Sequence, residues 1–167
     1  MALRKIVFYP DPLLREKCPE VESVDDALKG LIQDMYETMY EGKGIGLAAP
    51  QVGVLKRLIV VDVSEERNNP LCFVNPVITR REGKIKFEEG CLSIPGYRDY
   101  VQRPDKITVK ALNEDGKEFT MDAEGLLSVC IQHEIDHLDG ILFIDRLSPL
   151  KQEFFKKWYS KRSGDYP

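Results

Sequence analysis

Basic charge is in short supply in this chain. Its 24 lysines and arginines stand against 28 aspartates and glutamates, a net charge of -4, which removes the bulk electrostatic signature of a nucleic-acid binder. Long apolar runs are missing too: no uninterrupted stretch approaches the roughly 20 residues that a bilayer-spanning helix requires. The N-terminal run Ile6-Val7-Phe8-Tyr9 is cut by Pro10, and no small-residue cleavage site follows it. These absences lead to the expectation of a soluble, cytoplasmic protein. There is no CxxC pair. Cys18, Cys72, Cys91 and Cys130 are scattered, which in a chain without a signal peptide favours free thiols or a metal ligand over disulfides. Histidine is scarce as well, with only two in 167 residues. That scarcity is informative, because both fall in one stretch.

The stretch is Gln132-His133-Glu134-Ile135-Asp136-His137. At helical spacing, residues four apart lie on one face a turn apart, so both imidazoles can reach one divalent ion with Glu134 beside them. An ion held this way lowers the pKa of water toward neutrality, and an adjacent carboxylate can take and pass on its proton. By average residue usage the pattern arises by chance in on the order of one chain in a few hundred of this length. More is needed before an ordinary helix with two histidines is set aside.

At 167 residues the chain fits one domain, 1–167, with no repeat, linker or low-complexity tract to divide it. Pro10-Asp11-Pro12 breaks regular structure, and Leu13-Leu14-Arg15 suits a short turn. Ser23 and Asp26 form a capping-box pattern, and Leu28, Leu31, Ile32, Met35 and Met39 recur at helical spacing, predicting a helix over about 24–40. Strands are predicted at 58–63, at 71–78 with an interruption at Pro76, and at 84–87, 97–101, 106–112 and 118–121, with a hairpin turn at Asn113-Glu114-Asp115-Gly116. The histidine helix is expected from near Asp122 to Gly140. Leu127, Ile131, Ile135 and Leu138 lie on one face of it, with Leu126, Cys130, His133 and His137 on the next. So wide an apolar girth predicts a central helix, packed on a sheet on one side and facing a pocket on the other. Ile141 to Ile144 suits a short strand. Ser148-Pro149 opens a C-terminal helix over about 148–162, with Leu150, Phe154 and Trp158 on one stripe. The fold class predicted is α+β: antiparallel or mixed β-sheets packed around a central metal-binding helix, with a C-terminal helix.

Two histidines need a third protein ligand to make a catalytic metal site. Peptidases of the pattern His-Glu-x-x-His-x-x-Gly-x-x-His are excluded, because Phe143 stands where their last histidine would be. Peptidases that take a glutamate from a following helix would have only Glu153, early in a basic helix. Cys130 shares the histidine face but lies seven residues from His137, about 10.5 Å along a helix axis, and reads better as pocket wall. Cys18 and Cys72 suit buried small hydrophobes. Cys91, beside a glycine in Glu89-Gly90-Cys91-Leu92-Ser93, is in irregular backbone from which it could approach the helix; the residues alone leave its ligation open.

Gly44-Ile45-Gly46-Leu47-Ala48-Ala49 literally fits a dinucleotide-binding fingerprint, but a helix precedes it and Pro50 follows, so the strand and helix that fingerprint requires are absent. What its glycines do offer is backbone that a ligand can approach closely. Gln51, just beyond, carries an amide able to donate to a developing oxyanion.

With these three stretches assembled, Gly44 to Gln51, Glu89 to Ser93 and Gln132 to His137, the chain resembles the peptide deformylase family in its compact bacterial form, in order and separation and over nearly its whole length. The resemblance implies a metal-dependent amide hydrolase that removes the formyl group from the N-terminal formylmethionine of new proteins and releases formate. It implies Cys91, His133 and His137 as ligands of one divalent metal, ferrous iron foremost, with zinc, nickel or cobalt also suiting the donors. Glu134 would be general base and acid, and the Gln51 side chain and Leu92 N–H would form an oxyanion hole. The substrate backbone would lie like an added strand along the glycine and cysteine loops at Ile45 and Gly46. Leu126, Val129 and Cys130 would wall a pocket for the methionine side chain, and Arg98 would sit near the peptide backbone. Implied partners are N-formylmethionyl nascent chains and, through Lys151, Lys156, Lys157, Lys161 and Arg162, ribosomal RNA, with no membrane. Two rival readings remain, a general metallopeptidase and a non-catalytic binding protein. The absent third histidine or glutamate argues against the first, and intact Glu134 against the second.

Overall fold

The computed structural model of the chain describes residues 2–162. Five strands form one sheet in the order β1-β2-β3-β6-β7: β1 (Gly46–Ala48), β2 (Leu58–Val61), β3 (Leu71–Glu82), β6 (Lys106–Leu112) and β7 (Glu118–Glu124). The other two, β4 (Ile85–Cys91) and β5 (Ile94–Arg103), form a separate hairpin, and every pairing is antiparallel. Among the described residues there are three α-helices, α1 (Asp26–Glu41), α2 (Gly125–Leu138) and α3 (Pro149–Arg162). Among the described residues, no helix is long and apolar enough to cross a membrane.

Strand alternation explains how the sheet is covered on both sides. Ile59, Val61 and Phe73 point one way and pack with Ile131, Ile135 and Leu138 of α2. Leu58, Val60, Cys72 and Val74 point the other way and pack with Leu28, Ile32, Met35 and Met39 of α1. The third cluster closes the far side of α2, where Ile94 and Val101 of the hairpin meet Leu14, Phe143 and Phe155. The histidine helix therefore packs on the sheet on one side, as its apolar girth predicts, while the hairpin closes its far side, and Ser128 to Leu138 are all buried.

Boundaries move where tertiary partners override local signals. α1 starts at Asp26, because the Asp25 carboxylate accepts the Leu28 N–H at 2.8 Å and takes the capping role expected of Ser23. α2 starts at Gly125, not near Asp122: β7 runs on to Glu124, with Thr108 donating to Asp122 across the ladder at 2.7 Å. β3 continues through Pro76 to Glu82 by way of a bulge between Val74 and Val77, so proline there shifts the register and does not end the strand. The strand expected at Ile141 to Ile144 is instead a 3-10 turn, Phe143–Arg146, since Leu142, Phe143 and Ile144 are all buried and alternation would have exposed one of them. Along α3 the expected stripe is wrong at two of three positions. Leu150 and Phe154 are exposed, while Phe155 is buried and packs with Trp158 and Tyr159 against Tyr9 and Tyr97.

Candidate metal centre and active-site cleft

The β4–β5 hairpin brings Cys91 over α2. Cys91 pairs with Ile94, so Leu92 and Ser93 make the tight turn and the Cys91 side chain is presented to the helix. Its Sγ lies 3.4 Å from His137 Nε2, and one donor atom from each of Cys91, His133 and His137 falls within 4.8 Å of the other two. A tetrahedral ion with bonds of about 2.0–2.3 Å holds its donors roughly 3.3–3.8 Å apart, so this set fits a divalent metal with little contraction. Of the four cysteines, position brings Cys91 within reach of both imidazoles. Cys130 is excluded from the cluster; it is buried, burial pushes its thiol well above the ordinary value, and its Sγ faces the Ile45 carbonyl at 3.4 Å.

Behind the donors is a buried ionic network: the sequence motifs contain its acids, Glu89 and Asp136, without announcing their roles, and do not contain its arginines. Glu89 Oε1 meets His133 Nδ1 at 2.9 Å, leaving Nε2 free to point into the site. Arg103 grips the same carboxylate with two bonds of 2.7 and 3.0 Å, and reaches Asp136 at 2.9 Å. Asp136 is held in turn by Arg146 at 2.9 and 3.1 Å. Burial would raise the Glu89 pKa, but the bonds from His133 and Arg103 prevail and hold it below the usual carboxylate range. The one available sign in the sequence was an acid near a candidate ligand; Arg103 lies 30 residues before His133 in the chain, and nothing local points to it.

The two imidazoles differ in electrostatics. Burial, His133 and Arg103 keep His137 well below its ordinary value, hence neutral and ready to ligate. Burial also works against a charged His133, but Glu134, Cys91 and Glu89 outweigh it and hold this imidazole well above its ordinary value. A proton on His133 and a metal at its Nε2 would therefore compete. Acidification favours that proton, so ion affinity is expected to fall roughly tenfold per pH unit below the pKa of His133, measured as metal retained after dialysis at stepped pH.

Glu134 projects beside the donors, its Oε2 3.9 Å from His133 Nε2. Burial pushes its carboxyl up to about 7 against the opposing pull of His133. Space around it is tight: a Cβ on Gly46 would come 2.6 Å from Glu134 Oε2 and 2.8 Å from Cys130 Sγ. Glycine at 46 is thus a requirement of the Glu134 position. Opposite, Gln51 is buried in a 3-10 turn (Ala49–Val52). Its Oε1 accepts the Ala48 N–H at 2.9 Å, which orients the amide so that Nε2 donates to Ser93 Oγ at 3.1 Å and faces Cys91 Sγ at 3.4 Å.

These groups open into a cleft of about 430 Å³. Ile45, Leu126, Val129 and Cys130 supply apolar wall, and Gly46, Leu92 and Arg98 also line it. The structure thus gathers every residue proposed from sequence into one site. Arg98 is exposed and engaged with Glu88, donating to its carboxylate and its carbonyl at 3.1 Å each, and it lies across Gly90. The Gly44 to Gln51 stretch is not loop throughout. Its centre is the edge strand β1, followed by the 3-10 turn that carries Gln51.

Comparison with known proteins gives consistent results. Residues 3–153 match the polypeptide deformylase family. The peptide deformylase of Neisseria meningitidis is 52% identical over 162 residues, 97% of each chain. That of Chromobacterium violaceum is 51% identical over the same length and coverage. The crystal structure of a peptide deformylase from Legionella pneumophila superposes with a TM-score of 0.90 at 46% identity, covering 99% of both chains.

Proposed function

Since the chain belongs to the polypeptide deformylase family, metal-dependent hydrolases that remove the formyl group from the N-termini of new proteins, we propose that it performs this reaction with Cys91, His133 and His137 as metal ligands and Glu134 as general base and acid. The observation that carries the assignment is the convergence of the Cys91, His133 and His137 donors within 4.8 Å beside a buried Glu134. When bound, the ion supplies Lewis acidity to the formyl oxygen and lowers the pKa of water. Glu134, held near neutrality by burial, accepts a proton from the attacking water and delivers it to the leaving amine. Gln51 Nε2 and the Leu92 N–H donate to the oxygen of the formyl carbonyl as charge grows there. Ile45, Leu126, Val129 and Cys130 receive the methionine side chain, and the open edge at Gly46 pairs with the peptide backbone near Arg98.

We assign residues 1–167 to one catalytic domain acting in the cytoplasm, where formylated nascent chains are made. One thiolate and two imidazoles suit ferrous iron, our choice for the cell, and equally accept zinc, nickel or cobalt. Anaerobically prepared protein is expected to release formate, and no amino acid, from formyl-Met-Ala-Ser. Amino-acid release would restore the peptidase reading, and a metal-loaded protein without turnover the binding-protein reading.

A ribosomal contact through α3 rests on its exposed side. Lys151 is paired with Asp99 at 3.0 Å and Lys156 with Glu153 at 3.3 Å, while Arg162 lies over Trp158. Exposed Lys157 and Lys161 stand on the same side as exposed Leu150 and Phe154, at helical spacing. Lys157→Glu with Lys161→Glu is expected to reduce ribosome co-sedimentation severalfold with formate release unchanged; full retention of co-sedimentation would exclude this contact.

A further inference from the structure

A polar cluster on the far side of β1 takes no part in the chemistry described above. Asp62, which follows β2, is 1% exposed. Its carboxylate accepts from Tyr40 Oη of α1 at 2.6 Å, from Ser64 N at 2.9 Å and from Asn69 N at 3.2 Å. These bonds fold residues 62–69 back on themselves and bring Arg67, at a φ of 57°, over the Tyr40 ring with 5.2 Å to its centroid. From there Arg67 Nη1 donates to the Asp62 carbonyl at 2.8 Å and Nη2 donates to the Gly44 carbonyl. The Asp62 N–H donates to the Ile45 carbonyl at 2.8 Å. Two successive carbonyls leading into β1 are thus gripped from behind.

The grip determines which backbone groups face the cleft. In an antiparallel pair, opposed residues alternate between bonded and non-bonded. Ile45 is bonded to Asp62, so Gly46, opposite Val61, is the non-bonded position and turns its N–H and C=O to the open edge. The N–H of Ala48, which turns the same way, is already taken by Gln51. Gly46 is therefore the exposed rung. It follows a segment with glycine at 42, 44 and 46 and a left-handed residue at Lys43, φ 58°, a stretch with wide conformational freedom unless something anchors it.

We propose that Arg67 is a positioning residue for the substrate backbone: by bridging the Asp62 and Gly44 carbonyls it holds the open edge at Gly46 in register to pair with the peptide beyond the formylated residue. This rests on the reading that substrate adds to β1 as a strand. Arg67 belongs neither to the donor cluster nor to the cleft lining, and its guanidinium fork suits two acceptors at once, where a lysine ammonium would serve as one point donor.

The test is formate release by metal-loaded enzyme from formyl-Met-Ala-Ser and from formyl-Met amide, which offers no further peptide backbone. Arg67→Ala is expected to raise KM for the tripeptide about tenfold, the worth of a lost hydrogen-bonded register. Its kcat should stay within about threefold, its metal content unchanged, and its KM for formyl-Met amide nearly so. Arg67→Lys should recover part of the tripeptide KM. Equal shifts for both substrates, or none for either, would overturn the positioning role. If Arg67→Ala does not fold, Tyr40→Phe removes one bond to Asp62 while keeping the ring under the guanidinium, and should raise only the tripeptide KM, about threefold; an unchanged KM would count equally against the proposal. The wild type separates the two readings. A KM that does not improve from formyl-Met amide to the tripeptide would overturn strand addition itself, whereas an improvement that survives in Arg67→Ala would overturn the clasp alone.

Discussion

Glu134→Ala is expected to lower kcat for formate release by roughly 10³–10⁴-fold, the upper part of the range for general acid–base catalysis, because one carboxylate serves both proton transfers. The metal should stay bound, since Cys91, His133 and His137 keep their places and Glu134 lies beside them without joining the donor cluster. Metal analysis of the same preparation separates lost chemistry from lost ion. Glu134→Gln sharpens the point by preserving shape. A carboxyl raised to about 7 by burial binds its proton more tightly in the folded than in the unfolded chain. Its contribution to stability therefore falls as pH rises from the ordinary carboxylate value toward 7. Removing that penalty in Glu134→Gln should raise the Tm of metal-free protein at pH 7.5 by several degrees while turnover is lost. A bound cation favours the carboxylate, so the acid limb of kcat/KM should lie below pH 7, with activity falling as Glu134 gains its proton. A variant that loses activity and metal together would instead make Glu134 a ligand.

The second large effect concerns Arg103, which is 5% exposed and stands between two buried carboxylates. Arg103→Ala should destabilise the fold by about 3–5 kcal/mol, because it leaves Glu89 with His133 alone and Asp136 with Arg146 alone. Chemical denaturation of the metal-free protein measures this without interference from ion binding. The consequence should reach the metal as well. Loss of the carboxylate that orients a ligating imidazole typically weakens metal binding by about 10–100-fold, so Glu89→Gln and Arg103→Ala should both lower affinity, Glu89→Gln with the smaller loss of stability. The pH dependence follows from the depressed Glu89 pKa. Its stabilisation is fully present above the ordinary carboxylate value and is lost as pH falls through the lower folded value, so acid unfolding should be shallower in Glu89→Gln. If Arg103→Ala unfolds within 1 kcal/mol of wild type, the network is a by-product of packing and the orientation of His133 has another cause.

Much of this molecule was legible before its coordinates. The histidine pair with Glu134 follows from helical spacing, and the apolar girth of that helix foretells its packing on the sheet and its place at a pocket. The ladders at 106–112 and 118 onward follow from alternation around a hairpin turn. Element ends were less legible. Asp25 in place of Ser23, Glu124 in place of an earlier start for α2, and a bulge that carries β3 past Pro76 were each decided by partners distant in sequence. Phe155 beneath α3, where Phe154 was expected, shows the same limit. Helical periodicity in a short aromatic-rich segment admits several faces, and the docking surface made by Tyr9 and Tyr97 selects one.

What the sequence determined by itself is the chemistry on offer from one helix, two imidazoles and a carboxylate at helical spacing, whereas Cys91, expected in irregular chain, ends strand β4. The helix groups are a consequence of spacing along one element, which the backbone geometry makes certain. The tertiary structure alone decided which cysteine comes within reach of the two imidazoles, how Gln51 is turned, and which buried acid meets His133 and which arginine holds that acid. It also decided that Arg67 reaches back to Gly44, because each of these pairings joins residues on separate elements and exists only once the sheet, the hairpin and α2 are packed together.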